Sequence, residues 1–457
     1  MDMTAEEIIE ALEAQLKQAL ERLTEVTEQL QVAQARIEEL ERLKTPPPAF
    51  VKANKPKAPE EQKKVRKKRD AKHNRARARS QPTQVVEHRL VKCPSCELRL
   101  GGIKLARVRE VIDIPPLAPV EVTHHRIYKG WCASCERWHE APVDLHEQVV
   151  GHGRIGVRLS SLIATLRTVM RLPIRQIREL LHTLHGFEVS IGEIVEILHH
   201  IKEHAQPVLD DLKRAIRASP AVQADETGWR EDGENGYIWS VSTPKVRYYE
   251  YHHSRAGEVI KRLIGDEFAG VLGSDFYAGY NIHQGLHQRC WVHFLRDIHD
   301  LKKLHPDDAQ LWRWAKEVKQ IYQRAKAAPM PDPQLSEPKQ HAGRVALQHV
   351  FEQELWQVCA PFARTPALMH TLCERVERFL PELFVFVAYP GVPSDNNLAE
   401  RSVRPLVIAR KISGGTRSPK GSSTRMGLAS LFGTWMAQGL NPFQQCLALL
   451  TSPSSLG

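Results

Sequence analysis

A seven-residue repeat near the start of the chain restricts its first segment to a helix. Five heptads follow one another without Gly or Pro, with Glu, Gln and Arg between the apolar positions, which predicts a coiled coil over residues 1–45. Self-association is the expected use of the apolar stripe, although a single helix folded back on its own chain needs the same stripe. The stripe consists of Ile9, Leu16, Leu23, Leu30 and Ile37 at one position and Leu12, Ala19, Val26, Ala33 and Leu40 at the other.

Charge is unevenly distributed along the chain. The net charge is +10, yet the first 50 residues hold 5 basic and 11 acidic side chains, whereas residues 51–84 hold 13 basic and 3 acidic ones. This basic segment has too few apolar residues to fold alone, so we predict a disordered linker over residues 46–88. Its cations favour nucleic acid over membrane as a partner, because counterion release drives such binding and no amphipathic stretch anchors them to lipid. A plain solvated linker is the alternative.

The chain lacks the patterns of exported and membrane proteins. No apolar run approaches the roughly 18–20 residues that span a bilayer. The first residues are acidic where a secretory signal is basic and then apolar. We therefore expect a cytoplasmic protein without a membrane partner.

Four of the eight cysteines form two Cys-x-x-Cys pairs, Cys93 with Cys96 and Cys132 with Cys135. Two such turns can place four thiolates around one zinc ion and leave no open catalytic position. The segments VREVIDIPP and VEVTHHRIYKG between them have the composition of strands. We therefore predict a structural Zn²⁺ in a zinc ribbon-like domain over residues 89–150. His139 or the His124–His125 pair could alter the ligand set, and two unrelated thiol turns are the alternative.

Residues 151–218 have the apolar periodicity of helices. Two such stretches are separated at Gly186, and Ser190 is placed to cap the second one. This arrangement predicts a helical, helix-turn-helix-like domain that binds DNA. A helical hairpin used only for packing is the alternative, because Glu193 and Glu196 on the second helix would face phosphate poorly.

The pattern changes to strands from Pro220 onward. AVQADETGW, GYIWSVST and VRYYEYHHS read as three antiparallel strands, followed by a helix, a fourth strand GVLGSDFYAGY and a fifth, HQRCWVHF. This order predicts a ribonuclease H-like sheet, with Asp225 in its first strand and Asp275 at the end of its fourth. The two carboxylates should then be neighbours, although 50 residues separate them.

A third carboxylate, Glu400, lies on a predicted helix where Asn396, Glu400 and Arg404 recur at four-residue spacing. Three carboxylates around one point repel one another unless hard cations lie between them, so we expect Mg²⁺ or Mn²⁺. Two such ions can activate a hydroxyl and stabilise the leaving oxygen of a phosphodiester. These three acids are therefore the candidate catalytic and metal-binding residues.

The remaining segments complete a multidomain α+β chain. We predict a catalytic domain over 219–303 and 389–425, interrupted by an all-α insertion over 304–388, and a C-terminal helical segment over 426–457. His293 follows the fifth predicted strand and is expected to face phosphate or support the carboxylates. Residues 401–425 contain seven basic and no acidic side chains. The candidates for DNA contact are His293, Asn396, Arg404, Arg410 and Lys411.

Several of these motifs together resemble the insertion sequence 66 family of DDE transposases over nearly the whole chain. The matching pieces are the zipper-like start, the two cysteine pairs, RLPIRQIRELL, VSIGEIVEIL, ADETGWR, SDFYAGY, CWVHFLRDIHDL, SDNNLAERSVRPLVIARK and GLNPFQ. After Lys411 the chain departs from the aromatic-containing stretch of many members.

The resemblance implies a divalent-metal-dependent polynucleotidyl transferase of the bacterial cytosol, associated with the nucleoid, with Asp225, Asp275 and Glu400 as its triad. It further implies binding of terminal inverted repeats, cleavage and strand transfer into target DNA, and small accessory transposition proteins as possible partners. A ribonuclease H-like nuclease without transposition and a domesticated DNA-binding regulator remain open as alternatives.

Overall fold

The computed structural model describes residues 17–18, 20–31, 34, 80–145, 147–150, 153–328, 334 and 336–452. Most of the predicted coiled coil and the basic linker up to residue 79 lie outside these residues. Residues 20–31 form a helix, α1, on which Leu23, Val26 and Leu30 are exposed. No helix in the described part of the chain is long and apolar enough to cross a bilayer. The chain divides into two units, Met1–Asp113 and Ile114–Gly457.

The predicted strands between the cysteine pairs are wrong. The segment VREVIDIPP is not a strand, and VEVTHHRIYKG overlaps a strand only at its last two residues. A strand needs a hydrogen-bonded neighbour and a covered face, and here Val111 and Val122 are 83% and 71% exposed. The second unit instead begins with a short antiparallel hairpin, β1 (Lys129–Cys132) and β2 (Arg137–Glu140).

Four helices follow, in agreement with the predicted helical segment. Gly186, with φ of +59°, ends the second of them, and the Ser190 hydroxyl accepts a hydrogen bond from the Glu193 N–H (3.0 Å) at the start of the third. This glycine allows the left-handed turn that Cβ-bearing residues adopt at a steric cost. The helices are α2 (Val157–Thr168), α3 (Ile174–His185), α4 (Ile191–His204) and α5 (Gln206–Arg217).

A mixed five-stranded sheet forms the centre of the second unit, with strand order β5-β4-β3-β6-β7. The first three strands of the sheet along the chain pair antiparallel, and β6 and β7 join them in parallel. This order is consistent with the predicted ribonuclease H-like sheet. The strands are β3 (Ala221–Glu231), β4 (Glu234–Ser242), β5 (Arg247–His252), β6 (Val271–Ser274) and β7 (His287–Arg289).

Helix α6 (Glu258–Ile264) precedes β6, and a short 3-10 helix (Ala278–Ile282) follows it. The fifth strand is shorter than predicted, because the chain turns at Cys290 into helix α7 (Trp291–Leu304). Trp291 and Phe294 of α7 are fully buried in the next core, which accounts for the early end of the strand.

The predicted all-α segment is helical in the structure. Its helices pack with α7 around an apolar core that contains Trp314 and Leu355, and Trp291 stacks on Tyr322 at 4.7 Å between ring centroids. The helices are α8 (Ala309–Lys326), α9 (Glu337–Ala363), α10 (His370–Leu383) and α11 (Val385–Ala388).

The last three helices close the second unit: α12 (Asn397–Ser413), α13 (Pro419–Ala437) and α14 (Pro442–Thr451). Leu406 of α12 and Met426 of α13 pack on one face of the sheet with Trp229 and Tyr249, whereas α5 and α6 cover the other face. The domain boundary that we predicted after residue 425 falls within α13.

Candidate active site

The sheet register brings two of the three candidate carboxylates to neighbouring positions. Strands β3 and β6 are parallel, with Val222 opposite Leu272 and Gln223 opposite Gly273. Asp225 lies two residues after Gln223, still within β3. Asp275 lies two residues after Gly273, directly after the end of β6. The Asp225 carboxylate accepts a hydrogen bond from the Glu226 N–H (3.0 Å), and that of Asp275 accepts one from the Tyr277 N–H (2.9 Å).

The start of α12 is attached to β3 by side chain to backbone hydrogen bonds. The Asn396 amide donates to the Ala224 carbonyl (2.7 Å), and the Leu398 N–H donates to the Gln223 side chain (3.1 Å). The Gln223 amide also donates to the Asp395 carbonyl. These bonds place the first turn of α12, and with it Glu400, beside the strand that carries Asp225.

The neighbouring carboxylates act on Asp225. Burial, together with the charges of Glu226, Asp275 and Glu400, raises the pKa of Asp225 to about 7. One Glu400 oxygen, Oε1, is buried without a hydrogen-bond partner. Repelling carboxylates with an unused buried oxygen are the donor set that suits a hard divalent cation. The oxygens of Asp225, Asp275 and Glu400 do not all lie within 4.8 Å of one another.

His293 lies beside this site, but on a different element from the predicted one. It occupies the first turn of α7 rather than the end of a strand, because β7 ends at Arg289. Its Nε2 is 3.6 Å from Glu400 Oε1, and its Nδ1 is buried without a partner. The contact with Glu400 supports a positioning role for this side chain.

A fourth carboxylate, which the sequence analysis did not single out, stands next to Asp225. The Glu226 side chain is 3% exposed; Arg255 Nε donates to its Oε1 (3.0 Å), and the Tyr280 hydroxyl donates to its Oε2. Both carboxylate oxygens of Glu226 thus already have partners, and Arg255 compensates its negative charge. Glu226 is therefore less suited than Asp225 to hold a cation. The sequence shows Glu226 directly after Asp225, which could have marked it as a candidate. Because successive side chains of a strand point to opposite faces, however, Glu226 points away from Asp225.

A buried arginine supports Asp275. Arg289 is fully buried at the end of β7, and its guanidinium donates to the Asp275 carbonyl oxygen (2.9 Å), the Asn281 side chain (2.6 Å) and Glu382 of α10 (2.5 Å). Burial lowers the pKa of Arg289, and the Glu382 charge opposes that shift. The network fixes the backbone of Asp275 and connects the sheet to α10.

The structure separates the predicted DNA contacts into two groups. Asn396 is buried and bonded to β3, and Arg410 is half-buried and donates to the Gly228 carbonyl, so both serve the attachment of α12. Asn396 is only 1% exposed, which favours a structural role over the predicted contact with DNA. Arg404 and Lys411 are exposed on α12 and remain candidates for phosphate contact.

Asp225 gives the site a testable effect on stability. Its pKa is about 7 in the folded chain and near 3.8 when unperturbed, so between these pH values the folded protein holds a proton that the unfolded chain has released. The contribution of Asp225 to stability should therefore fall as pH rises from about 4 to 7, by about 4 kcal/mol at roughly 1.4 kcal/mol per pKa unit. Without added magnesium, we expect Asp225→Asn to raise the melting temperature at pH 8 and leave it nearly unchanged at pH 4. An equal gain at both pH values would contradict the assigned charge repulsion.

The two cysteine pairs adopt similar turns, each described within its own unit. In the first unit the Cys93 N–H donates to the Leu98 carbonyl (2.8 Å), and Glu97 has φ of +60°. In the second the Cys135 N–H donates to Cys132 Sγ (3.4 Å), and Glu136 has φ of +48°. Backbone N–H groups lower the pKa of Cys93 and of Cys132, which favours the thiolate form that binds zinc.

One group of possible metal ligands stands out in the described part of the chain. The ligand atoms of Cys132, Cys135 and His139 lie within 4.8 Å of one another, and among the described residues they form the one set of three or more such side chains. His139 lies on β2, opposite Gly130 of β1, so the hairpin brings it to the cysteine turn. The zinc site with all four cysteines stays a prediction.

Comparison with known proteins identifies a family and several relatives. A family model described as "Transposase IS66 family" matches residues 152–424. The uncharacterized protein y4qI of Sinorhizobium fredii (strain NBRC 101917 / NGR234) is 24% identical over 331 residues, which cover 64% of this chain and 59% of y4qI. The uncharacterized protein y4jD of the same organism is 22% identical over 395 residues, which cover 79% of this chain and 74% of y4jD. The match to y4qI thus spans less than two thirds of that relative.

Proposed function

This chain belongs to the IS66 family of transposases, and on that premise we propose that it is a DNA transposase that cuts and joins DNA strands at Asp225, Asp275 and Glu400. The observation that carries the proposal is the sheet register that makes Asp225 and Asp275 neighbours, next to the helix of Glu400. Burial and the charges of Glu226, Asp275 and Glu400 raise the pKa of Asp225 to about 7. A bound divalent cation would relieve this repulsion. The family assignment implies a divalent metal, and we assign it to these three carboxylates.

Each side chain of the site has a proposed part in this chemistry. The three carboxylates would hold Mg²⁺ or Mn²⁺, which when bound supplies the charge that activates the attacking oxygen and stabilises the leaving oxygen of the phosphodiester. His293 orients Glu400 through its contact with Oε1. Arg289 fixes the backbone at Asp275. Arg404 and Lys411, exposed on the helix of Glu400, contact backbone phosphates of the bound DNA.

The segments before the sheet are proposed to bind DNA ends and pair protomers. The coil of residues 1–45 would join two copies, and the basic linker would add affinity that does not depend on sequence. The zinc ribbon-like and helical domains would bind the terminal inverted repeats, with Zn²⁺ held by Cys93, Cys96, Cys132 and Cys135. On α4, however, Glu193 is paired with Arg154 and five residues are buried, which favours packing over groove reading for that helix.

The experiment that tests the function uses the DNA on either side of the gene. If that DNA contains inverted repeats, they are the substrate, and the purified full chain with Mg²⁺ should cleave them and join the 3′ ends to a second DNA. Cleavage without joining would indicate the ribonuclease H-like nuclease instead. Binding with neither reaction would indicate a DNA-binding regulator.

A further inference from the structure

Four arginines line a cavity behind the helix that carries Glu400. The cavity has a volume of about 260 Å³ and lies where the end of α2, strand β5 and helices α12 and α13 meet. Its lining contains Arg171, Arg247, Arg401 and Arg425 and no Asp or Glu. Its volume is below the roughly 300–1,000 Å³ of typical small-molecule pockets, so it suits one anionic group better than a whole cofactor.

Arg425 is the unusual member of this set. It is 5% exposed, and its guanidinium donates to the Arg167 carbonyl oxygen (2.9 Å), while its Nε has no hydrogen-bond partner. Burial, together with the charges of Arg167 and Arg171, lowers the pKa of Arg425 to about 9. The side chain therefore keeps its charge at neutral pH, although two other cations are close to it.

The surroundings offer further donors but no negative charge. Thr168 lines the cavity with a buried hydroxyl that has no partner. Among the described residues, none of the four arginines forms an ion pair with a carboxylate; Arg247 donates to the Thr243 and Val246 carbonyls instead. Apolar side chains such as Leu398 and Phe432 form the remaining wall. Uncompensated buried charge is costly, so such a cluster is expected where an anion binds.

We propose that this cavity binds a phosphate group and thereby anchors the backbone of the DNA strand whose neighbouring phosphodiester reaches the three carboxylates. This inference rests on the proposed function for its choice of DNA. Arg401 is exposed at the cavity and directly follows Glu400 on α12, so the cavity and Glu400 lie at the same turn of that helix but on different faces. Guanidinium groups match phosphate through paired N–H donors, and several of them converge here.

The test measures binding in the full chain with Asp225→Asn, so that no cleavage is needed. Inorganic phosphate and a short duplex are the two probes. Arg171→Ala with Arg401→Ala removes two lining arginines that are not fully buried and therefore threatens folding less than a change at Arg425. Arg378→Ala is the matched control, because Arg378 is an exposed arginine on α10 that does not line the cavity. Circular dichroism checks that each variant is folded.

We expect phosphate to raise the melting temperature more than chloride does at equal ionic strength, in the parent and in Arg378→Ala but not in the double variant. The affinity for the duplex should fall about tenfold in the double variant. The slope of log affinity against log salt concentration should become shallower by roughly 1 for each phosphate that the removed arginines neutralise in the parent. Phosphate should also compete with the duplex.

Each other result overturns part or all of the inference. Phosphate binding without any change in duplex affinity would identify a free phosphoanion as the ligand and reject the DNA anchor. If phosphate has no specific effect on the melting temperature, the phosphate site is rejected. This outcome includes the case where an acidic peptide binds there instead. Because these assays use binding alone, they fail or succeed independently of strand cleavage and joining.

Discussion

Magnesium-dependent strand cleavage and joining should fall by more than about 10²-fold in each of three variants, Asp225→Asn, Asp275→Asn and Glu400→Gln. Removing a residue that only supports a metal ligand typically costs about 10- to 100-fold, so removing a ligand itself should cost more. Each change keeps the shape of the side chain and removes one charged oxygen donor from the site. Because the carboxylates act together in holding the cation, loss of any one should be nearly as damaging as loss of two. Gel assays of cleaved and joined DNA measure the effect.

DNA binding separates this result from misfolding. All three variants should bind end DNA with nearly the affinity of the parent chain, since the amides leave the hydrogen bonds that attach α12 to β3 in place. Glu234→Gln is the control, because Glu234 is an exposed glutamate at the far end of the β3–β4 hairpin. Strand transfer that survives in Glu400→Gln would show that the third ligand is a different residue.

Glu382→Ala should lower the free energy of unfolding by about 3 kcal/mol, since it removes the carboxylate that pairs with a buried arginine. The charge left behind is that of Arg289, which is fully buried at the end of β7. Its bonds to Asn281 and the Asp275 carbonyl persist and keep the effect near the lower end of the usual range. Urea unfolding followed by tryptophan fluorescence measures the change.

Helix α10 supplies a matched comparison. Glu377 also pairs with an arginine, Arg364, at 2.5 Å, but that arginine is 71% exposed. Exposed ion pairs contribute roughly 0.2–1 kcal/mol, so Glu377→Ala should have a much smaller effect than Glu382→Ala. Similar effects in the two variants would mean that the helix, rather than the buried charge, determines the cost.

Patterns with strict periodicity predicted the structure well. The β-rich runs that form β3 and β4, the break at Gly186 and the helices of the all-α segment depend on local preferences that the sequence displays directly. The parallel neighbours Asp225 and Asp275 followed from strand order, because the sheet topology determines which strand ends meet.

The errors occurred where tertiary packing decided the outcome. The segment CWVHF has the composition of a strand, yet burial of Trp291 and Phe294 against the helical core makes it the start of α7. Similarly, VREVIDIPP is rich in β-formers but has no neighbouring strand within the described residues. The partners of Glu226, namely Arg255 and Tyr280, could not be predicted, since they come from separate elements and meet only in the folded sheet.

The order of elements along the chain also governs when the site can exist during synthesis. All five strands of the sheet and both aspartates are encoded before α8, whereas Glu400 follows α8 to α11. At translation rates of about 5–20 residues per second, the sheet leaves the ribosome several seconds before Glu400 does. A nascent or prematurely terminated chain therefore lacks Glu400, so the proposed strand cutting would be restricted to chains whose synthesis has passed the helical segment.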